Sequence, residues 1–275
     1  MKLDTFKSSA DTNNSQHGSD YINASFVNSS IDTYYKYLAA QGPTRETCID
    51  FVRMLVQYKV KIVICACNEY EGNKLKCHRY WTDHLDEPYC IYKDYYAILQ
   101  SKPVELEDCI IRQLKVKHMP PPGSSSSSSG SESNNSSEFE YEFVQIHLNN
   151  WPDHGVPDNV EPVINILSMV RQKMIENNKQ ANENYHKMMG KSSSLSSENR
   201  RIVMPLSNDY LVVHCSAGCG RTGTIIAIDQ LWNLLNENVT INNFVYIYIY
   251  KFVFNFIRFV RNWTKNLAYT NWHQF

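Results

Sequence analysis

Apolar and polar positions alternate in short stretches along most of this chain, and the period of the alternation changes from stretch to stretch. Residues 1–20 are polar and read as loop. Residues 21–27 and 37–41 read as strands. From 45 to 58 the period becomes helical: Cys48, Phe51, Val52, Leu55 and Val56 share one face, and Thr44 is placed to cap the helix. Residues 61–67 are a short β-branched run, as expected of a buried strand, and 110–117 and 139–148 read as two more strands. Between those two lies MPPPGSSSSSSGSESNNSS, residues 119–137, which cannot bury a core and reads as a flexible loop. It is expected at a hairpin tip, because the strands on both sides need partners. A helix follows Asp158, where Val160, Val163, Ile164, Leu167, Val170 and Met174 recur at helical spacing. Residues 176–200 are rich in Asn, Lys and Ser and read as an exposed extension. Residues 211–214 form a strand, followed by a glycine-rich turn and a helix over 222–235. The alternation of strand, helix and loop predicts an α/β or α+β fold, a sheet with helices on its faces.

Composition narrows this picture in three ways. With 275 residues, 43% of them hydrophobic, the chain can bury a sizeable core. Its net charge of −1 points to neither nucleic acid nor an anionic membrane as partner. Its eight cysteines, Cys48, Cys65, Cys67, Cys77, Cys90, Cys109, Cys215 and Cys219, are scattered, with no disulfide framework and no paired metal-ligand spacing. Most of them read as buried core thiols in a reducing compartment. The start, MKLDTFKSSAD, has no apolar segment, so no signal peptide is visible and a cytoplasmic location is expected.

The segment that carries chemistry is VVHCSAGCGRTGT, residues 212–224. An apolar strand ends at His214. Cys215 opens a loop of Ser216, Ala217, Gly218, Cys219 and Gly220, which runs into a helix starting near Arg221. The glycines let successive backbone N–H groups turn toward one point, and the helix N-terminus adds unpaired N–H groups and positive potential. That arrangement suits a phosphate dianion and favours a thiolate at Cys215, the competent nucleophile. Arg221 stands six residues on, where its planar fork can grip two phosphate oxygens. Thr222 adds a hydroxyl able to hydrogen-bond the sulfur. A nucleotide cradle is the competing use of such a turn, but the Lys-Ser/Thr of a Walker loop and the G-x-G-x-x-G pattern are absent.

The full string His-Cys-Ser-Ala-Gly-x-Gly-Arg-Thr-Gly resembles the active-site signature of the tyrosine-specific protein phosphatases. Trp151-Pro152-Asp153-His154-Gly155-Val156-Pro157 is similar to the mobile acid loop of that family. The resemblance implies that Asp153 protonates the leaving phenol oxygen and then activates water. Asp20-Tyr21-Ile22-Asn23-Ala24-Ser25, Tyr37-Leu38-Ala39-Ala40-Gln41-Gly42-Pro43 and Lys76-Cys77-His78-Arg79-Tyr80-Trp81 resemble three further family motifs. Carried over residue by residue, Glu71 would orient Arg221 and Lys76 would pair with Asp153. The likeness runs from about Lys2 to about Thr240, interrupted by the two polar insertions. It implies one catalytic domain over 1–240, built on a highly twisted mixed sheet flanked by helices. It also implies a reaction on phosphotyrosine in proteins through a cysteinyl-phosphate, with no metal or organic cofactor and neither nucleic acid nor membrane as partner.

Two elements of the family pattern are missing. Nothing like the Lys-Asn-Arg-Tyr loop, whose tyrosine stacks on the substrate ring, occurs before Asp20, so a segment is expected to precede Met1. At the other end, a segment with two glutamines is replaced by NNFVYIYIYKFVFNFIRFVRNWTKNLAYTNWHQF. A membrane span fails on length, since Lys251, Asn255 and Arg258 interrupt the run before about 18 apolar residues accumulate. An edge strand over 245–256 would carry little charge to protect it. A third reading is translated AT-rich non-coding sequence from about Val245, and the repeated Tyr-Ile favours it. The rival to an enzyme is a module that captures phosphotyrosine and barely turns it over. The complete Cys215, Arg221 and Asp153 set argues against it, and the two missing elements argue for it.

Overall fold

Among the described residues, nine strands form one sheet and three helices accompany it. In a computed structural model, the described residues are 21–27, 35–119, 139–152, 157, 159, 161–188 and 209–237, with side chains as far as 177 and 233 in the last two. The strands pair in the order β1 (Ala24–Val27), β2 (Lys36–Gln41), β11 (Tyr210–Cys215), β3 (Ile62–Cys65), β10 (Glu140–Leu148), β9 (Cys109–His118), β7 (Tyr95–Leu99), β6 (Tyr89–Tyr92), and β8 (Val104–Glu105) joins β9 from the side. The two-residue strands β4 (Tyr70–Glu71) and β5 (Lys74–Leu75) form a separate small ribbon. The centre, β2, β11, β3 and β10, is parallel, and the flanks are antiparallel. This is the expected mixed, twisted sheet, and its central strands β3 and β11 are near-continuous apolar runs because both faces are covered.

α1 (Cys48–Gln57) and α3 (Gly220–Glu237) cover opposite faces. Phe51 of α1 packs edge-on against His214 of β11, with ring centroids 5.3 Å apart. Tyr37, level with Leu211 of β11, reaches the other way and donates its hydroxyl to Asp229 of α3 at 2.9 Å. Leu211 and His214 are three residues apart, so they point to opposite faces. Tyr35 donates to the same Asp229 oxygen at 2.5 Å, and Arg171 of α2 (Glu161–Met188) lies 3.5 Å from the other. Burial pushes the Asp229 carboxyl above its usual range, and the bonds from Tyr35 and Tyr37 and the Arg171 charge work against that rise. No helix among the described residues is long and apolar enough to cross a membrane.

The structure differs from the pattern-based reading in both helix bounds and short strands. α1 begins at Cys48, not near Arg45, and Thr47 rather than Thr44 stands at its start, without a side-chain cap bond. The two threonines satisfy each other instead: the Thr44 N–H donates to Thr47 Oγ1 at 3.0 Å and the Thr47 N–H to Thr44 Oγ1 at 3.3 Å. α2 continues to Met188, through the first half of the segment read as an extension. That stretch mixes good helix formers (Glu, Gln, Lys, Ala and Met) with four asparagines, and it is continuous with the amphipathic start of α2. β6 and β7 were not anticipated. The serine-rich segment does connect paired strands, with Lys117 level with Glu140 across the β9–β10 pair. Residues 1–20, 120–138, 189–200 and the tail 241–275 lie outside the described residues, as does Asp153.

Candidate active site

The parallel strands end level with one another, which puts their following segments side by side. Cys215 is level with Gln41, and His214 with Cys65, which in turn is level with His147. Gly42, residues 216–219, residues 66–71 and residues 149–151 therefore converge at one edge of the sheet. Gly42 fixes the loop: its N–H donates to the carbonyls of Cys215 at 2.7 Å and Ser216 at 3.0 Å. With those carbonyls turned away, the N–H groups of Ser216, Ala217, Gly218 and Cys219 are left with no partner among the described residues. Ser216 is anchored by its hydroxyl, which donates to the Lys76 carbonyl at 3.0 Å. Gly218 has φ +76°, and a Cβ there would lie 2.5 Å from the Ala40 carbonyl oxygen. Both the conformation and the space demand glycine. Gly218→Ala is expected to destabilise the chain by about 1–3 kcal/mol and to weaken oxyanion binding. Urea unfolding alongside tungstate titration checks this, and a variant that matches the wild type in both would show that the loop relaxes freely.

Cys215 lies at the floor of this loop, only 3% exposed, and Arg221 opens α3 above it, 9% exposed. The Arg221 guanidinium faces the Glu71 carboxylate in a bidentate pair, Nη1 to Oε1 and Nη2 to Oε2, the latter at 2.9 Å. Burial disfavours the Arg221 charge, and the hydrogen bonds and charge of Glu71 outweigh it, so the guanidinium is held above its ordinary pKa. Arg221 Nη1 also donates to the Trp151 carbonyl at 3.4 Å. Lys76 Nζ lies 3.9 Å from Glu71 Oε2. The sequence places Lys76 against Asp153; the structure shows it beside Glu71, and Asp153 is outside the described residues. A cleft of about 520 Å³ opens alongside, lined by Asn68, Tyr70, Glu71, Asn149, Trp151 and Pro152. A dianion seated on the loop would meet open N–H donors, a fixed guanidinium fork and a sulfur at the floor, the set required for in-line attack on phosphorus.

The protein-tyrosine phosphatase family model matches residues 3–262, past Thr240 and nearly the whole chain. The chain belongs to this family. Human tyrosine-protein phosphatase non-receptor type 12 is 32% identical over 220 residues, covering 79% of this chain and 21% of that protein. Mouse non-receptor type 18 is 32% identical over 235 residues, covering 83% of this chain and 39% of that protein. The chain thus spans well under half the length of these curated relatives. The crystal structure of the human type 18 catalytic domain superposes with a TM-score of 0.54 at 27% identity, over 80% of this chain and 61% of that one.

Within this phosphatase fold His214 supports Cys215 from behind. Its Nε2 lies 2.7 Å from the Tyr80 hydroxyl and its Nδ1 3.3 Å from the Cys215 carbonyl oxygen. Thr222 departs from expectation. It is wholly buried and its hydroxyl has no hydrogen-bond partner among the described residues, so the expected bond to the sulfur is not made. All eight cysteines are free thiols, six of them buried. Burial pushes Cys48 up to about 12, and burial together with the Asp108 charge pushes Cys109 up to about 11, as befits inert core groups. Cys65, Cys67 and His214 bring three potential metal-ligating atoms within 4.8 Å of one another. They are already engaged: both His214 nitrogens face partners, and the Cys65 thiol donates to the Cys67 carbonyl at 3.3 Å. Sequence reasoning named Gly42 and Tyr80 only as members of motifs, without a role, and missed Asn68; their partners at the site lie far off in the chain or are backbone atoms.

Proposed function

We propose that this chain hydrolyses phosphotyrosine in proteins. The observation that carries the reading is Cys215 opening a loop whose N–H groups have no partner among the described residues, with Arg221 locked to Glu71 beside it. The Cys215 thiolate attacks phosphorus as the P–O bond to tyrosine breaks, and Asp153 gives its proton to the departing oxygen. Asp153 then takes a proton from water, the water oxygen bonds to phosphorus, and the P–S bond breaks to release phosphate. Throughout, the loop N–H groups and Arg221 hold the equatorial oxygens. Ser216, Ala217, Gly218, Cys219 and Gly220 bind phosphate through their backbone; His214, Trp151, Glu71 and Lys76 support the reacting groups, while Thr222 packs buried behind the loop without bonding the sulfur. Human type 18 has been solved with phosphopeptides of HER2, which supports the substrate class. We assign residues 1–240 to one catalytic domain with insertions at 119–137 and about 176–200, the second of which begins within α2. A cytoplasmic setting is supported by eight free thiols.

The test is turnover of p-nitrophenyl phosphate and of a phosphotyrosine peptide by the purified chain, with phosphoserine peptide as control. Turnover of the first two, at 1 s⁻¹ or faster on the order of typical enzyme rates, is expected. Tight capture of phosphotyrosine peptide without phosphate release would instead establish a binding module.

A further inference from the structure

Arg221 is anchored on two sides, by the Glu71 carboxylate and by the Trp151 carbonyl, and one residue touches the backbone or side chain of both neighbouring segments. The Asn68 N–H donates to Glu71 Oε1 at 3.3 Å. The Asn68 side-chain Nδ2 donates to the Asn149 carbonyl at 3.1 Å, two residues ahead of Trp151. The peptide group bearing that N–H is held from behind as well. Its carbonyl, that of Cys67, lies 2.9 Å from His147 Nε2. His147 Nδ1 faces Arg112 Nη1 at 3.2 Å. A guanidinium only donates, so Nδ1 accepts, and Nε2 carries the proton given to the Cys67 oxygen. Arg112 is itself buried and fixed, donating to Asp83 Oδ1 at 2.6 Å and to Gln145 Oε1 at 2.9 Å. One peptide group is thus held between His147, which is backed by the buried Arg112, and the carboxylate that holds Arg221.

We propose that Asn68 is a positioning residue for Arg221, fixing the Glu71 carboxylate relative to the backbone that leads into Trp151. If the 66–71 segment and the 149–151 segment moved independently, the gap spanned by the Arg221 fork would vary, and oxyanion grip would weaken with it. The side-chain amide is the only direct side-chain hydrogen bond among the described residues that joins the two segments. Asn68 borders the open cleft beside Trp151 and is half-buried, so changing it leaves no hole in the core. The proposal rests on the phosphate-binding role given to Arg221 above.

Tungstate binds such a loop without being turned over, so it reads the grip separately from hydrolysis. Asn68→Asp, Asn68→Ala and Asn68→Gln are compared with the wild type for tungstate affinity, kcat and KM on p-nitrophenyl phosphate, and alkylation of Cys215 by uncharged iodoacetamide. Asn68→Asp and Asn68→Ala are expected to weaken tungstate and lower kcat/KM by about three- to tenfold, the worth of one hydrogen bond. Melting temperature and alkylation rate stay at wild-type values, and Asn68→Gln, which keeps an amide donor, recovers at least part of the loss. Unchanged tungstate affinity in both Asp and Ala variants overturns the proposal. So does a loss that runs in parallel with faster alkylation and a lower melting temperature, since that marks general damage to the loop. Should Asn68→Asp fail to fold, Ala and Gln carry the comparison. A wild type that binds tungstate but hydrolyses nothing would sink the enzymatic reading and leave this one standing; a wild type that binds no tungstate would overturn both.

Discussion

Cys215→Ser is expected to release no measurable phosphate while still binding a phosphotyrosine peptide. Serine fills the same space at the floor of the loop. The loop carbonyls remain tied to the Gly42 N–H, and Arg221 remains tied to Glu71, so the oxyanion cradle survives the substitution. What is lost is the nucleophile, because a serine hydroxyl without an activating base is a far weaker nucleophile than a cysteine sulfur. Removing a nucleophile costs on the order of 10⁴- to 10⁶-fold in turnover. Single-turnover quench-flow with labelled peptide, paired with calorimetric binding of the same peptide, measures the two properties separately. Residual phosphate release within tenfold of the wild type, on the roughly millionfold scale just given, would strip Cys215 of its role.

Asp153→Asn is expected to have the second-largest effect, and its signature is selectivity between leaving groups. Asparagine keeps the size of the side chain but has no proton to give. General acid catalysis is worth about a hundred- to ten-thousandfold, and that loss should fall on a phosphotyrosine peptide, whose phenolate leaves poorly unprotonated. p-Nitrophenolate departs readily as an anion, so that substrate should lose much less. Steady-state kcat on both substrates checks it. An equal loss on the two would remove Asp153 from the proton-transfer step and redirect attention to another acid near Trp151.

The parts of the fold that were legible in the sequence are those where one period persists. β3 and β11 are apolar, β-branched runs, β9 and β10 interleave apolar with polar residues, and the helical spacings around Phe51, Leu167 and Ile225 are long enough to be unambiguous. The β6–β7 hairpin was not legible because its turn hides its identity: Lys93 takes φ 45°, a left-handed conformation usually announced by glycine or asparagine. β4 and β5 are two residues each, too short for any period to register. At the site, the loop from Cys215 to Arg221 is contiguous, so its chemistry could be argued from residue type and spacing. The pairing of Arg221 with Glu71 spans 150 residues and was legible only through resemblance. Asn68 and Gly42 act mainly through or upon backbone atoms, which leave no trace in residue spacing. The Tyr35, Tyr37 and Asp229 cluster escaped for a related reason: periodicity marks buried apolar faces and is silent on which polar side chains satisfy one another inside them.

The serine-rich connection leaves β9 at His118 and enters β10 at Glu140, whereas the catalytic edge begins where β10 ends, at Leu148. Nine residues of strand, at about 3.4 Å each, separate the two ends of β10 by roughly 30 Å. Lengthening a connection there costs little, about 0.6 kcal/mol per doubling in loop-closure entropy. The molecule therefore carries a natural graft point: a fluorophore, an affinity handle or a whole recruiting module spliced between His118 and Glu140 would join the sheet at the end of β10 far from the phosphate cradle, with the paired length of β9 and β10 between it and Cys215.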